Sequence, residues 1–390
     1  MINEAKSFCE KINIEYNDKI NVVYDEAVSL YNEKGDYIIC KERIINLNNE
    51  YNIFRLYFDD VLKACDEIKK DEDIKLFIYL LICAMKKDDV SYISMPDKEN
   101  IVTDFAPLFA FMYFFDDMIG DMKKRGLPHD VISDTLNGFD SEITDYVGIF
   151  KRPGIRIYVS WFMLFFRKQI LRVGRLQFQI DKLKDNIRVY KKGDDVKILI
   201  DGEYIHNKGM ILGSYGQEDE SEAFLAEISD NGDEVSGYSV NEYGECVNEK
   251  ITLKGYDEIL KKGDYILRVH IPSDDRLDYE MCEVSYKRAQ DIFVSAYKEC
   301  DFKAFACTSW LLEKRLKLIL GKETNITRFA DKYMAYPIKS GAKDVYQFLY
   351  SITDRVDANL LPEKTSLHKK VKEYLLDGNI YYEKAGVILF

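Results

Sequence analysis

The stretch 264-DYILRVHIPSDDRLDYEMCEVSYKRAQDIF-293 gathers the residue types most able to do chemistry. It reads as a strand over 264–272, a Pro-bearing corner, and a helix over 279–298, an order that in α/β proteins places ligands at the strand's carboxyl end. Ile266, Arg268 and His270 share one side of that strand, because side chains alternate along it. His270 has an ordinary pKa of about 6.5, which suits it to general-base work. The bland alternative is a histidine that hydrogen-bonds within the sheet and holds the corner. A helix N-terminus presents unpaired N–H groups to an anion. This corner, however, has no glycine and carries Asp274 and Asp275, which repel one. Ser273 and Arg276 are the groups there that would offset the repulsion, and only in part. Asp278 is expected to cap the helix, with Glu280 in its first turn favouring the helix dipole. The corner is therefore expected to turn the chain at the rim of a cleft, and not to cradle a diphosphate as a glycine loop does.

A second group lies at 303-KAFACTSWLL-312. A nucleophilic Cys307 would need a lowered pKa and a nearby base. Both faces of its strand read as buried, so Cys307 is expected to be core. Ser309 and Trp310 are expected to cap and anchor a helix over 310–320, and Trp310 also suits the wall of a ligand cleft. In the N-terminal half, Asp116, Asp117 and Asp121 in 114-FFDDMIGDMKK-124 resemble the aspartate-rich Mg²⁺ motif of isoprenoid synthases. The second acidic motif is absent, so they read as a solvated helix end. The eight cysteines contain no C-x-x-C pair and the four histidines lie beyond helical reach of one another, so no metal is expected.

These residues need elements to position them. Residues 1–165 read as helices. In 52–70, apolar residues recur at spacings of three and four; 73–89 is apolar nearly all round, as in the centre of a bundle; 130–150 repeats the helical period with Asp130 as a plausible N-cap. Pro153-Gly154 closes this region, and 159–171 adds a further buried helix. The period then falls to two. Gly193-Asp194 and Asn231-Gly232 mark hairpin turns. After the corner come the helix 279–298, with Val284, Ala289, Ile292, Phe293 and Ala296 inward, and the strand 303–309. A strand near 324–338, helices near 342–353 and 366–376, and a closing pair of short strands in 379–390 follow. The strands 264–272 and 303–309 are predicted to be central neighbours. The fold class is α+β: a helical domain, 1–165, and a mixed α/β domain, 166–390.

The totals exclude whole classes of partner. Lys plus Arg number 55 against 68 Asp plus Glu, a formal charge of −13, with no basic stripe, so no nucleic acid or anionic membrane is expected. The apolar runs 76–85 and 105–115 fall short of the roughly 20 residues of a membrane span. The first residues show no secretory signal. A cytoplasmic protein acting on a small molecule is expected.

Several short motifs, in order, then carry a resemblance: His270-Ile271-Pro272, Cys282, Cys307-Thr308-Ser309-Trp310-Leu311-Leu312, Asn325-Ile326 and the tail TSLHKKVKEYLLDGNIYYEKAGVI, with KRGLPHDVISDTL and GRLQFQI upstream. Together they resemble a family of bacterial acyltransferase-like proteins with a helical N-terminal acyltransferase-associated domain and a GNAT-like C-terminal domain. The resemblance spans most of 120–390. It implies transfer of an acyl group from acyl-CoA, as cosubstrate, to an amine or hydroxyl. On that reading His270 and Ser309 are the candidate catalytic residues, and Ser273, Arg276 and Trp310 the candidate cosubstrate contacts. Where the family pattern has His after Cys, this chain has Thr308, which cannot serve as a base near neutrality. The alternative is a GNAT-like binding or interaction protein without catalysis.

Overall fold

The computed structural model describes residues 2–97, 100–157 and 159–390, which separate into two compact units, Met1–Gly174 and Arg175–Phe390. In the first unit, helices from Ile2–Ile12 to Val159–Phe166 follow one another, and the short strand Ile170–Val173 comes last. The helix Glu72–Lys86 is buried on every side from Phe77 to Met85, as its unbroken apolar run requires. The helix expected over 52–70 starts only at Phe58, and Leu56 is exposed. Asp140 accepts the Leu56 N–H at 3.2 Å, in the bend that precedes the helix. Asp130 lies inside the first turn of His129–Phe150, and Pro128 stands at the cap position, so the expected cap is displaced by two residues. Among the described residues no helix is long and apolar enough to cross a membrane.

The described residues of the second unit form two larger sheets with a core between them, and a two-stranded sheet of Glu203–His206 with Ala223–Ala226 adds Ile205 and Ala226 to that core. Five of the unit's strands lie side by side in the order Leu176–Lys182, Tyr265–His270, Phe302–Ser309, Lys384–Leu389, Met334–Pro337. Tyr265–His270 and Phe302–Ser309 are adjacent and parallel, and the helix Tyr279–Ala296 makes the crossover that a parallel pair needs. That helix buries Cys282, Ser285, Tyr286, Ala289 and Phe293. Val284, expected inward, is 54% exposed, because the buried stripe is set by the sheet beneath it and runs through 282, 285, 286 and 289. Phe178 packs with Tyr286, Phe293 and Phe305 on this side.

Ile266, Ala304, Ala306, Ala385 and Val387 face the other way, onto Val189, Ile198, Ile200 and Leu260 of an antiparallel sheet. Its hairpins turn where the sequence placed them, with Lys192 opposite Asp195 around Gly193 (φ +61°) and Asp230 opposite Val235 around Gly232 (φ +91°). The small alanines let the two sheets meet closely.

Three expectations fail in the last ninety residues. The helix expected over 310–320 is a 3-10 turn, Trp310–Leu312, followed by a separate short helix, Leu316–Leu320. Glu313 interrupts it by turning its carboxylate inward to Lys384. Residues Asn325–Asp331 are helical, capped by Thr324, and only Met334–Pro337 is a strand. The closing pair of strands is one strand, Lys384–Leu389.

Candidate active site

The parallel pair opens at its carboxyl end. Its Cα partners run from Tyr265–Phe302 to Arg268–Ala306, and the ladder stops there. Beyond that point Val269 and His270 continue against Phe178 and Gln177, while Cys307, Thr308 and Ser309 continue against Gly386, Ala385 and Lys384. Two neighbouring strands thus part, each keeping its outer partner. No ladder pair joins the two edges beyond that point, and a strand edge is where an extended chain can add. This is also the end at which open α/β sheets bind ligands.

Alternation from the last pair, Arg268–Ala306, puts His270 and Thr308 on the same face, one on each side of the opening. His270 is half-buried, and its Nε2 lies 2.9 Å from Gln179 Oε1. With the amide oxygen toward the ring, Nε2 carries the proton and Nδ1 is the basic nitrogen. Burial, reinforced by the Arg268 cation, lowers the His270 pKa to about 4, with Asp181 opposing. Arg268 donates to Asp181 at 2.8 Å. Burial pushes the Asp181 carboxyl up, but Arg268 and the Lys182 N–H outweigh it and hold the pKa below its usual value. Tyr336 donates to Asp185 at 2.7 Å, and burial raises its pKa far above the usual value. The face around His270 is therefore polar, with its hydrogen bonds made.

Ser309 belongs to the opposite face. Its Oγ accepts the Leu311 N–H at 3.1 Å and so caps the 3-10 turn, as expected for a cap, although of a shorter element. Trp310 is 7% exposed and stands edge-on to Tyr381, in a side core with Leu316, Val345, Tyr350 and Val371. Cys307 is 2% exposed and its thiol is pushed up to about 12 by burial, so it is core and not a nucleophile. Beside it a hydrogen bond of 2.5 Å joins the Tyr286 and Tyr333 hydroxyls.

The corner 271–278 follows His270 directly. Ser273, Asp274, Asp275 and Arg276 are exposed. Asp278 caps the helix by accepting the Met281 N–H at 2.9 Å. Asp278→Ala is expected to cost about 1 kcal/mol, read from the urea midpoint at constant slope. His270, Ser273 and Arg276 thus cluster at the rim of the opening, whereas Ser309 and Trp310 build the turn that leaves its other side. The three aspartates of 114–124 are each taken by a cation: Asp116 by Arg43 at 2.9 Å, Asp117 by Lys168 at 2.9 Å and Asp121 by Arg125 at 3.0 Å.

Two features escaped the sequence reading. Lys384 and Glu313 are both fully buried, with Nζ 3.3 Å from Oε2, and Lys384 also donates to the Tyr243 carbonyl. The signal was a charged pair, Glu383-Lys384, set in an otherwise apolar tail. Arg175 is 5% exposed and donates to three carbonyls of the corner. Its signal was an arginine opening the apolar strand 176-LQFQI-180.

Residues 170–388 match the model of the GNAT-like C-terminal domain. Among solved structures, an acyltransferase in complex with decanoyl-CoA shares the fold with a TM-score of 0.57 at 14% identity, over 89% of this chain and 87% of that one. An acyltransferase in complex with decanoyl-CoA and teicoplanin aligns with a TM-score of 0.56 at 15% identity, over 89% and 88%. An acyltransferase mutant in complex with octanoyl-CoA aligns with a TM-score of 0.56 at 14% identity, over 90% and 88%. No curated protein matches the sequence. The family match covers more than half of the chain and brackets the whole of the opened sheet: the protein belongs to the family defined by the GNAT-like C-terminal domain.

Proposed function

We propose that the protein moves an acyl group from acyl-CoA to an amine acceptor at the opening between the strands Tyr265–His270 and Phe302–Ser309. The observation that carries this reading is the end of the parallel ladder at Arg268–Ala306. Pantetheine has two amides and an extended chain, so it can add to a strand edge as a peptide would. The thioester carbonyl then lies near the level of His270 and Thr308. The acceptor nitrogen attacks that carbonyl, the C–S bond breaks, and the CoA thiolate leaves.

His270 is the base in this reading. A histidine held at about pKa 4 is neutral throughout the physiological range. It is too weak to deprotonate an ammonium or a free hydroxyl, but it can take the acidic proton of the tetrahedral ammonium adduct. This favours an amine that arrives neutral over a hydroxyl acceptor. Ser273 and Arg276 lie at the rim, on the side of the CoA phosphates. Ser309 contributes the turn that it caps, not a group at the reacting carbonyl, and Trp310 holds that turn. The small-molecule partner is thus an acyl-CoA together with an amine. Acyl chains of eight to ten carbons are the first to try, because the similar acyltransferases are described with octanoyl-CoA and decanoyl-CoA.

Calorimetry of the full chain with decanoyl-CoA, followed by thiol release in the presence of a panel of primary amines, tests the reading. Saturable binding and amine-dependent release of CoA are expected. A folded chain that binds no acyl-CoA overturns it. A second reading, binding without transfer, is favoured by Thr308, an exposed residue at the opening where the family pattern places His. Binding with no acylated amine under any condition is its signature.

A further inference from the structure

We propose that Arg175 is the positioning residue for the acyl-CoA cosubstrate. It braces the corner from beneath, so that backbone N–H groups face the opening without any glycine. The inference rests on the acyl-transfer reading above.

The geometry is specific. Nε of Arg175 donates to Arg276 O at 2.8 Å, and Nη2 donates to Pro272 O at 2.9 Å and to Asp275 O at 2.7 Å. One planar guanidinium thus gathers three carbonyls from a five-residue turn, which suits its forked donors and not the point charge of a lysine. In a planar trans peptide the N–H points opposite to the C=O of the same unit. The N–H groups of Ser273, Arg276 and Leu277 are therefore turned away from Arg175. Asp275 Oδ1 takes that of Arg276 at 2.7 Å. Those of Ser273 and Leu277 have no acceptor among the described residues.

No residue from 271 to 278 has a positive φ, so the turn uses ordinary backbone conformations and owes its orientation to the brace. The brace is anchored in turn: the Arg175 N–H donates to Ser285 Oγ at 2.9 Å, and Ser285 donates to Met281 O at 2.8 Å. This ties the corner to the first turns of the helix that follows it. A phosphate-binding loop ordinarily uses glycine to bring N–H groups to an anion. Here a buried cation orders the carbonyls inward, and its charge offsets part of the repulsion from Asp274 and Asp275.

The test compares two ligands on the full-length chain, decanoyl-CoA and S-decanoyl-pantetheine, which lacks the nucleotide diphosphate. Arg175→Lys is expected to weaken decanoyl-CoA by roughly tenfold to a hundredfold, the range for lost hydrogen bonds to a charged group. S-decanoyl-pantetheine should bind the variant as it binds the native chain. Asp275→Ala, an exposed change that frees the Arg276 N–H, should tighten decanoyl-CoA and leave the pantetheine ester unchanged. Equal weakening of both ligands by Arg175→Lys would mean a merely structural role and would sink the inference, as would native affinities in both variants. If Arg175→Lys does not fold, the Asp275→Ala comparison decides alone, and no change in its decanoyl-CoA affinity overturns the proposal. Failure of the native chain to bind either ligand brings down the acyl-transfer reading itself, an outcome distinct from the others.

Discussion

Lys384→Met is expected to destabilise the protein by about 3–5 kcal/mol, the usual cost of removing one partner from a buried ion pair. Both Lys384 and Glu313 have 0% exposure, so the substitution leaves a carboxylate in the interior. Arg315, 3.8 Å from Glu313, already bonds Glu245 and offers weak compensation. The double variant Lys384→Met with Glu313→Leu should recover most of the loss, because it removes the stranded charge as well. Urea unfolding of the two variants measures this directly, and equal midpoints for single and double variants would show that the pair is not the source. The effect should reach the opening, because Lys384 stands opposite Ser309 in the sheet and Glu313 ends the turn that Ser309 caps.

His270→Ala is expected to lower the rate of acyl transfer by about 10²–10⁴-fold, the range for loss of a positioned base, with little change in acyl-CoA affinity. The pH dependence separates this from a packing effect. Because burial depresses the His270 pKa to about 4, the native rate should stay free of His270 protonation down to mildly acid pH. The same shift acts on stability. Between the unfolded pKa of about 6.5 and the folded value, the unfolded chain binds the additional proton. The contribution of His270 is therefore fully present above about pH 6.5 and is lost as pH falls toward 4. His270→Ala should flatten the slope of stability against pH in that window. An unchanged slope together with an unchanged rate would remove His270 from both roles.

Much of the frame is local and was legible without the structure. The fall of the apolar period from near four to two places the change from helices to sheet. Asp278, Gly193-Asp194 and Asn231-Gly232 act over a few residues, so composition and spacing announce the cap and the turns they make. Two apolar runs around a helix imply neighbouring central strands, whereas their parallel pairing is seen in the sheet itself. What tertiary structure decided depends on partners far away in the chain. Glu313 stops a helix that its own neighbours favour because it meets Lys384, 71 residues on. Arg175 shapes a corner about 100 residues away. His270 loses basicity through burial beneath elements that the strand itself does not specify. The opening of the sheet is of the same kind: the residues of each strand fix its alternation, but where two strands part is set by which outer partner holds each one, Leu176–Lys182 on one side and Lys384–Leu389 on the other. Short-range patterns fix elements because backbone geometry repeats over a few residues; a buried charge, a brace and a cleft are fixed only when distant segments compete for the same polar groups away from water.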